Sequence, residues 1–588
     1  MKRTILLKTL VISLFVCLLL PSCEKYQFLE KPPGNDVTED TVFTTLKDFE
    51  KFLFGTYQIG MYSYYPYHST TSSRNPNPTM CMLAPITDEA ECSDTWQTSQ
   101  IWNSGSVVKN NIINDEDKKW TLRWEAIRRC NIIIERLPET NFTQAEKDHY
   151  AGEVYFLRAL CNIELFNRYG GMPIVDKRLT NDDDWGIPRA SVQDFVDYMV
   201  ADCDKAASLL NGVTYPLSQR GRITAEAALA LKSRILLYAA SPLFNTATPY
   251  LNYDHPELVC YGKYDANRWR LAADAAKKAL DAALAAGYHV YNTGDPEHDY
   301  NKMWELYDNE EIILAEKSAA KIGNWSAPWT LMIPTGFGMS TWGGAINVTH
   351  NFVRKYEKMD GTPQTWNEPG VRGSDVMQKY AELDPRFRQT VGYNGSAWND
   401  QNPDVQLYQG GNAPTPSANV TGYLMHKTIP YALNTSSNYQ MYPNGIIFRV
   451  GELYLNYAEA LNECDGPTQE VYDAIKVIRD RAGMPNFPAG LSKDEMRERI
   501  KNERAIELCF EGLRLWDIRR WMDAEKEGVM QGSFYKVTLY KQSGVGLEQK
   551  CDYVISEYEK RSFHKKMYLH PIQESEVNKG YLFQNPGW

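Results

Sequence analysis

After residue 22 the chain has no uninterrupted apolar run of about 18 residues, the length that a membrane-spanning helix needs. We therefore expect no transmembrane helix in the rest of the chain. Basic residues are also in deficit, with 63 Lys and Arg against 74 Asp and Glu and a formal net charge of −11. Nucleic-acid binding depends on neutralising phosphates, so this balance excludes nucleic acid as an expected partner.

Cysteines are few and irregularly spaced. None of the 11 cysteines belongs to a C-x-x-C pair, so the sequence offers no paired-cysteine metal or redox motif. Most lie in apolar helical patterns and are expected to be small core residues. Only Cys81 and Cys92 share one loop-like segment, and whether they form a disulfide in an exported chain is left open.

Catalytic signatures are absent as well, since the chain contains no H-E-x-x-H, G-x-S-x-G or G-x-x-x-x-G-K-[ST]. The glycine-rich run TGFGMSTWGG has Thr341 where a dinucleotide-binding loop needs its third glycine. Two acidic clusters could hold calcium but lack EF-hand spacing, and the first could also supply a glycosidase carboxylate pair. We favour solvated acidic loops, and predict a protein that is not an enzyme and has no cofactor or metal. The acidic residues concerned are Asp88, Glu89, Glu91 and Asp94, and Asp182, Asp183 and Asp184.

Basic residues precede a short apolar run over residues 1–22, which predicts an export signal. Leu20-Pro21-Ser22-Cys23 is similar to a bacterial lipobox, in which Cys23 would be acylated and anchor the chain to a membrane. The alternative is plain secretion with Cys23 as an ordinary thiol. Residues 23–40 contain Pro32-Pro33-Gly34, which predicts an extended tether.

We predict a single body over residues 41–588, with helical periodicity in three parts, about 41–59, 118–287 and 446–525. Successive helix pairs rich in small Ala residues indicate a mainly α, tetratricopeptide-like scaffold. Residues of about 60–117 and 288–445 are irregular and aromatic, with a few short strand-like runs such as Glu311–Ala315. These two parts are expected to be ligand-facing loops on the scaffold.

The helical pattern is clearest towards the C-terminus. Ile506, Phe510, Leu513 and Trp516 recur at helical spacing and predict one helix through this stretch. Its other face is charged, and Arg499–Glu503 and Glu511–Arg514 are spaced to pair along the helix. Charged residues of this region are expected to be paired within the packed scaffold, among them Glu452, Arg504 and Glu507.

Three motifs follow one another here: FRVGELYLNYAEALNE, IRDRAGMP and RAIELCFEG-x-R-x-WDIRRW, and the chain closes with YLHPIQESEVNKGYLFQNPGW. In this order they resemble the SusD/RagB family of outer-membrane nutrient-binding lipoproteins. The resemblance implies a tetratricopeptide-type scaffold carrying a more irregular part. It also implies a lipid-anchored protein at the cell surface that binds a nutrient, foremost an oligosaccharide or glycan. The partner would be a SusC-like, TonB-dependent transporter that receives the ligand.

Aromatic residues give the candidate binding site. The chain has 15 Trp, many of them outside the helical stripes and next to Ser, Asn, Gly and Asp. Flat indole faces stack on sugar rings, while neighbouring amides and carboxylates bind hydroxyl groups. The ligand-binding residues predicted from position are Trp96, Trp102 and Asn103 in the first irregular part, and Trp325, Trp329 and Trp342 in the second.

Other interpretations of these tryptophans and of the fold stay open. The tryptophans could pin loops onto the scaffold instead of binding ligand. The same fold could bind peptide or another non-carbohydrate nutrient. A lipid-anchored glycoside hydrolase, or a helical repeat that only assembles partners, are further alternatives.

Overall fold

The computed structural model describes residues 39–61, 83–93, 99–110, 114–317, 322–323, 337, 346–413, 419–432, 440–441 and 444–588. The export signal, Cys23 and nearly all of the tether lie outside these ranges. The predictions about them therefore stay predictions.

The described part of the chain is mainly α-helical, which confirms the predicted fold class. The helices are α1 (Glu39–Val42), α2 (Leu46–Gly60), α3 (Ser99–Asn103), α4 (Asn114–Arg136), α5 (Gln144–Tyr169), α6 (Val192–Leu209), α7 (Ala225–Ala240), α8 (Asn267–Ala285), α9 (Asp299–Glu305), α10 (His350–Val353), α11 (Val376–Glu382), α12 (Pro385–Thr390), α13 (Val450–Asp465), α14 (Gln469–Arg481), α15 (Lys493–Glu507), α16 (Arg514–Arg520) and α17 (Glu574–Val577).

Consecutive long helices form the scaffold: α4 packs on α5, α5 on α6, α6 on α7 and α7 on α8. The chain returns to this stack after the irregular middle part, where α13 packs on α8, α14 and α15. Ala272, Ala276 and Ala283 are buried along α8, and their small side chains let neighbouring helices approach closely. Thr224 caps the start of α7, and Ser492 forms a capping box with Glu495 at the start of α15.

The strands are β1 (Ala90–Cys92), β2 (Ile312–Lys317), β3 (Ile322–Gly323), β4 (Ile346–Val348), β5 (Arg372–Gly373), β6 (Val391–Gly392), β7 (Leu424–Met425), β8 (Gln440–Met441), β9 (Asn444–Arg449), β10 (Gly532–Ser543) and β11 (Lys550–Arg561). The short antiparallel pair β1–β4 connects the two irregular parts. The short pairs β2–β9, β3–β8 and β6–β7 lie within the second part or at its end.

The long hairpin of β10 and β11 was not predicted. Each strand has 12 residues, and β5 extends the sheet on the β11 side. Cys551, Tyr553 and Ile555 are buried at alternate positions of β11, although the apolar Val554 between them weakens this alternation in the sequence. That period of two is the mark of a strand with one buried face.

The predicted continuous helix through residues 506–521 is wrong. α15 ends at Glu507 and α16 begins at Arg514. In between, Phe510 has φ 59° and Gly512 has φ 75°, left-handed values that interrupt an α-helix. The interruption sends neighbouring apolar side chains to different places, because Phe510 and Trp516 belong to separate cores.

Three apolar cores lie within the described residues, and the smallest lies around Trp304 and Ile446. The main core runs through the helical scaffold from Phe43 to Leu582. The second is built from the 346–429 region and the β10–β11 hairpin. α15 joins them, with Ile500 in the main core and Ile506 in the second. None of the helices in the described part of the chain combines the length and apolar character that a membrane crossing requires.

Candidate functional site

The strand pair β1–β4 is where the two irregular parts of the chain meet. Ala90 lies opposite Val348, and Cys92 lies opposite Ile346, so the ends of two long loops emerge side by side. Thr349 extends the connection, since its hydroxyl donates to the backbone oxygen of Asp88. The first irregular part is therefore fixed to the second at this edge.

The carboxylates around β1 are buried, which corrects the expectation of a solvated acidic loop. Asp88, Glu89 and Glu91 are 0%, 1% and 4% exposed, while Asp94 lies outside the described residues. The sequence predicted exposed carboxylates because it shows that the acidic residues are clustered but does not show their cationic partners, which are distant in the chain.

Asp88 is held by two cations. Arg514 donates from Nε and Nη2 to its two carboxylate oxygens, both at 2.8 Å, and Lys355 lies 3.2 Å away. Burial alone would raise the pKa of Asp88, but these two cations lower it to about 2. The carboxylate is therefore ionised and joins the start of α16 to the β1 edge.

Glu89 and Glu91 have the opposite character. Burial raises the pKa of Glu89 to about 8, although its Oε1 accepts from the backbone N–H of Phe510 at 2.9 Å. Burial also raises the pKa of Glu91 to about 7, although Arg561 contacts its other carboxylate oxygen. Gln100 donates to Glu91 Oε1 at 2.6 Å. These contacts tie β1 to α3, to the turn at residue 510 and to the end of β11.

Trp102 and Asn103 lie on α3 behind this edge, and each is 2% exposed. The Trp102 ring lies 4.9 Å from the ring of His570, and the Arg519 guanidinium lies 4.9 Å from the Trp102 ring centroid. Asn103 donates to the backbone oxygen of Pro85 at 3.0 Å. Both side chains thus fix α3 to the scaffold in this conformation, and their predicted ligand contact stays a prediction.

The other predicted ligand residues are Trp96, Trp325, Trp329 and Trp342, and all four lie outside the described residues. Three of them lie only a few residues along the chain from strands that the structure describes. Trp96 follows Cys92 by four residues, Trp342 precedes Ile346 by four, and Trp325 follows β3 by two. Cys81 is also outside the described ranges, so its pairing with Cys92 stays open.

Two further loop tryptophans of the middle part are structural. Trp398 is 1% exposed, and its ring meets that of His426 at 4.7 Å between centroids. Trp366 is half-buried and packs edge-on against His350 at 4.8 Å. Sequence context alone did not separate these tryptophans from the candidate ligand contacts.

The prediction that charged residues of this region are paired inside the scaffold is confirmed. Their partners come mostly from other segments of the chain. Glu507 accepts from Arg449 at 2.7 Å and from Arg386 at 3.0 Å, and Arg481 also contacts it. Burial opposes ionisation of Glu507, yet these cations hold its pKa well below the usual range. Arg234 pairs with Glu452 in the same way, at 2.6 Å.

The pairs predicted along the helix are not the ones observed, because the left-handed turn and tertiary packing direct these charges elsewhere. Arg499 pairs with Glu357, Glu503 with Arg386 and Arg479, Glu511 with Arg449 and Lys427, and Arg514 with Asp88.

Sequence reasoning missed an aromatic pocket of about 540 Å³ on the scaffold. Trp120 and Trp124 line it from α4, and Trp185 and Tyr581 line it from other segments. A signal was available, since residues four apart on a helix share one face. No group of three or more His, Cys, Asp or Glu side chains suited to a metal ion was found within the described ranges.

Comparison with known proteins identifies the family. The SusD family model matches residues 310–588, and a model described as starch-binding associating with outer membrane matches residues 27–237. The chain belongs to the SusD/RagB family. It is 24% identical to the SusD-like protein P38 of Formosa agariphila, over 70% of this chain and 74% of that one.

Solved structures of the family share the fold. A SusD-like protein from Bacteroides fragilis has a TM-score of 0.75 at 24% identity, covering 95% of this chain and all of that one. A laminarin-binding SusD-like protein has a TM-score of 0.59 at 18% identity, covering 93% of this chain and all of the other. At these identities the likeness establishes the architecture and leaves the ligand to be argued separately.

Proposed function

We propose that this chain is a cell-surface glycan-binding lipoprotein of the outer membrane. It captures an oligosaccharide and delivers it to a SusC-like, TonB-dependent transporter, without changing it chemically. Family membership supports the outer-membrane location and the class of ligand, because one matching model is described as starch-binding associating with outer membrane. The lipobox-like sequence ending at Cys23 supports anchoring by lipid.

The observation that carries the proposal is the β1–β4 pair. Its register puts Cys92 opposite Ile346, and Trp96 and Trp342 each lie four residues beyond that edge. Both tryptophans lie outside the described residues, and in this proposal they supply the two aromatic faces of the site. Two aromatic faces tethered to one edge form a platform on which sugar rings can stack.

The buried contacts around the edge support a pre-organised platform. Asp88 with Arg514, and Glu91 with Arg561, tie β1 to two distant parts of the chain. A rigid base reduces the ordering cost that loops otherwise add to binding.

The same burial weighs against glycoside hydrolysis by these carboxylates. Catalytic carboxylates must face each other across the substrate. Asp88, Glu89 and Glu91 are instead buried and hydrogen-bonded to protein groups. The alternative that the protein binds peptides is tested by the titration described next.

Calorimetric titration of a soluble form beginning at Tyr26 against a panel of neutral and acidic glycans tests the proposal. We expect one glycan class to bind, and we expect Trp96→Ala and Trp325→Ala to weaken that binding at least about tenfold, equivalent to about 1.4 kcal/mol. Tyr264→Ala is the matched control, because this aromatic side chain is 60% exposed on another segment. Binding of peptides with none of glycans would refute the proposal, as would unchanged glycan affinity in both tryptophan variants.

A further inference from the structure

The aromatic pocket on the scaffold has no role in the proposed function. We define the Trp185 pocket by the residues that line it: Trp120, Thr121, Trp124, Glu125, Ile127, Arg128, Pro173, Val175, Lys177, Leu179, Trp185, Ile187, Gln573, Glu576, Lys579, Tyr581 and Leu582. Its volume of about 540 Å³ lies within the range of small-molecule sites. It shares no lining residue with the β1–β4 edge.

Aromatic side chains dominate the walls of the pocket. Trp120 and Trp124 meet edge-to-face with ring centroids 5.8 Å apart, and Trp120 is nearly buried. Trp185 is different, because 54% of it is exposed. Its ring is nevertheless held in place, since Nε1 donates to the backbone oxygen of Thr180 at 2.9 Å and Arg128 lies 6.0 Å from the ring centroid.

The segments that form the pocket are fixed to one another. Arg128 donates to the backbone oxygen of Leu179 at 2.7 Å, which ties α4 to the segment carrying Trp185. Arg189 donates to the backbone oxygens of Tyr169 at 2.6 Å and Phe583 at 2.9 Å, which ties that segment to α5 and to the C-terminal segment. The exposed indole therefore belongs to a preformed site and not to a free loop.

The charged groups of the pocket wall other than Arg128 are paired with neighbouring ions, while Arg128 contacts the Leu179 backbone oxygen and the Trp185 ring. Glu576 pairs with Lys579 at 2.7 Å and accepts from the Tyr581 hydroxyl at 3.0 Å. Lys177 pairs with Asp183 at 2.6 Å. Glu125 pairs with Arg129 at 2.9 Å. A charged ligand would compete with these three internal ion pairs. A neutral ligand with many hydroxyl groups can donate to the carboxylates and accept from Arg128 and the lysines without displacing them.

We propose that the Trp185 pocket is a second binding site, for a neutral oligosaccharide. A sugar ring stacks on the exposed Trp185 face, and its hydroxyl groups reach Glu576, Arg128 and Lys579. The pocket is built from helices and irregular segments. It therefore offers no strand edge on which an extended peptide could add as another strand.

Hydroxyl-radical footprinting of the full chain, purified in detergent, tests this proposal locally. The oxidation of Trp185 is measured by mass spectrometry with increasing maltohexaose, laminarihexaose, cellohexaose or mannohexaose. It is normalised to Tyr264, which is 60% exposed and lies outside the pocket, so that radical scavenging by sugar cancels. We expect at least one of these sugars to lower Trp185 oxidation saturably.

Two variants separate binding from indirect protection. Tyr581→Ala removes the opposite aromatic wall and should abolish the protection of Trp185. Tyr540→Ala changes an exposed tyrosine outside the pocket and should leave the protection unchanged. In titration calorimetry, Trp185→Ala should weaken this second site about tenfold, while Trp96→Ala leaves it intact. The proposal is overturned if none of the four sugars protects Trp185 more than it protects Tyr264. It is also overturned if the protection of Trp185 persists in Tyr581→Ala. Failure of the loop site would instead appear only in Trp96→Ala and Trp325→Ala.

Discussion

Replacing Arg514 by Gln tests the buried connection between α16 and the β1 edge. Asp88 is fully buried, and the side chain of Arg514 is 8% exposed, so the variant leaves a carboxylate without its two-pronged partner. Removing one partner of a buried ion pair costs about 3–5 kcal/mol of unfolding free energy. Lys355 remains 3.2 Å from Asp88, so we expect a loss near the lower end, about 3 kcal/mol.

The measurement is urea unfolding of the purified chain, with midpoint and slope compared to those of the parent protein. Arg372→Gln is the control, because Arg372 pairs with Asp552 at 2.9 Å but is 55% exposed. Removing that exposed pair should cost at most about 1 kcal/mol. Hydrogen exchange adds a local measurement, since the amides of β1 and β4 should lose protection only in Arg514→Gln. Equal losses of unfolding free energy in Arg514→Gln and Arg372→Gln would show that the buried pair with Asp88 does not stabilise the protein more than an exposed pair.

Three further predictions concern single positions. Burial raises the pKa of Glu89 to about 8, so its stabilising contribution is complete below about pH 4.5 and is lost as pH rises through 8. The stability of Glu89→Gln relative to the parent protein should therefore increase between about pH 5 and pH 8 and level off above that, measured by urea unfolding. Parallel pH profiles would contradict this. Gly422 has φ 84°, and an added Cβ would lie 2.1 Å from the backbone oxygen of Val537, so Gly422→Ala should lower the free energy of unfolding by about 2 kcal/mol or more. Gly410 has a similar φ of 86° but open space around it, so Gly410→Ala should cost less. Equal shifts of the thermal midpoint in the two variants would argue against the clash. Trp102→Ala should lower the free energy of unfolding in urea by about 3–5 kcal/mol, because the indole is buried in the main core. A loss under about 1 kcal/mol would show that Trp102 is not structural.

Local patterns predicted the helical scaffold because its determinants are local. α8 follows from its stripe of Trp269 and small Ala residues, and α15 follows from the capping box at Ser492. The interruption at Phe510 was not predictable in this way. Phe510 has a left-handed φ and packs in the second core, while the apolar spacing of the sequence continues through it.

The candidate site illustrates the limit of sequence reasoning. The carboxylates at residues 88–91 are charged neighbours in sequence, and only the fold brings Arg514 and Arg561 to them from more than 400 residues away. Trp102 and Trp185 are both tryptophans beside polar residues, yet one is buried and the other is half-exposed in a pocket. Burial of this kind depends on contacts between distant segments, which periodicity does not encode.

A crystal structure of the protein with the glycan identified by titration tests the central claim most directly. We expect a saccharide lying against Trp96 and Trp342 beyond the β1–β4 edge, with the backbone of that edge unchanged. A bound saccharide that touches neither of these residues nor Trp325 would contradict it.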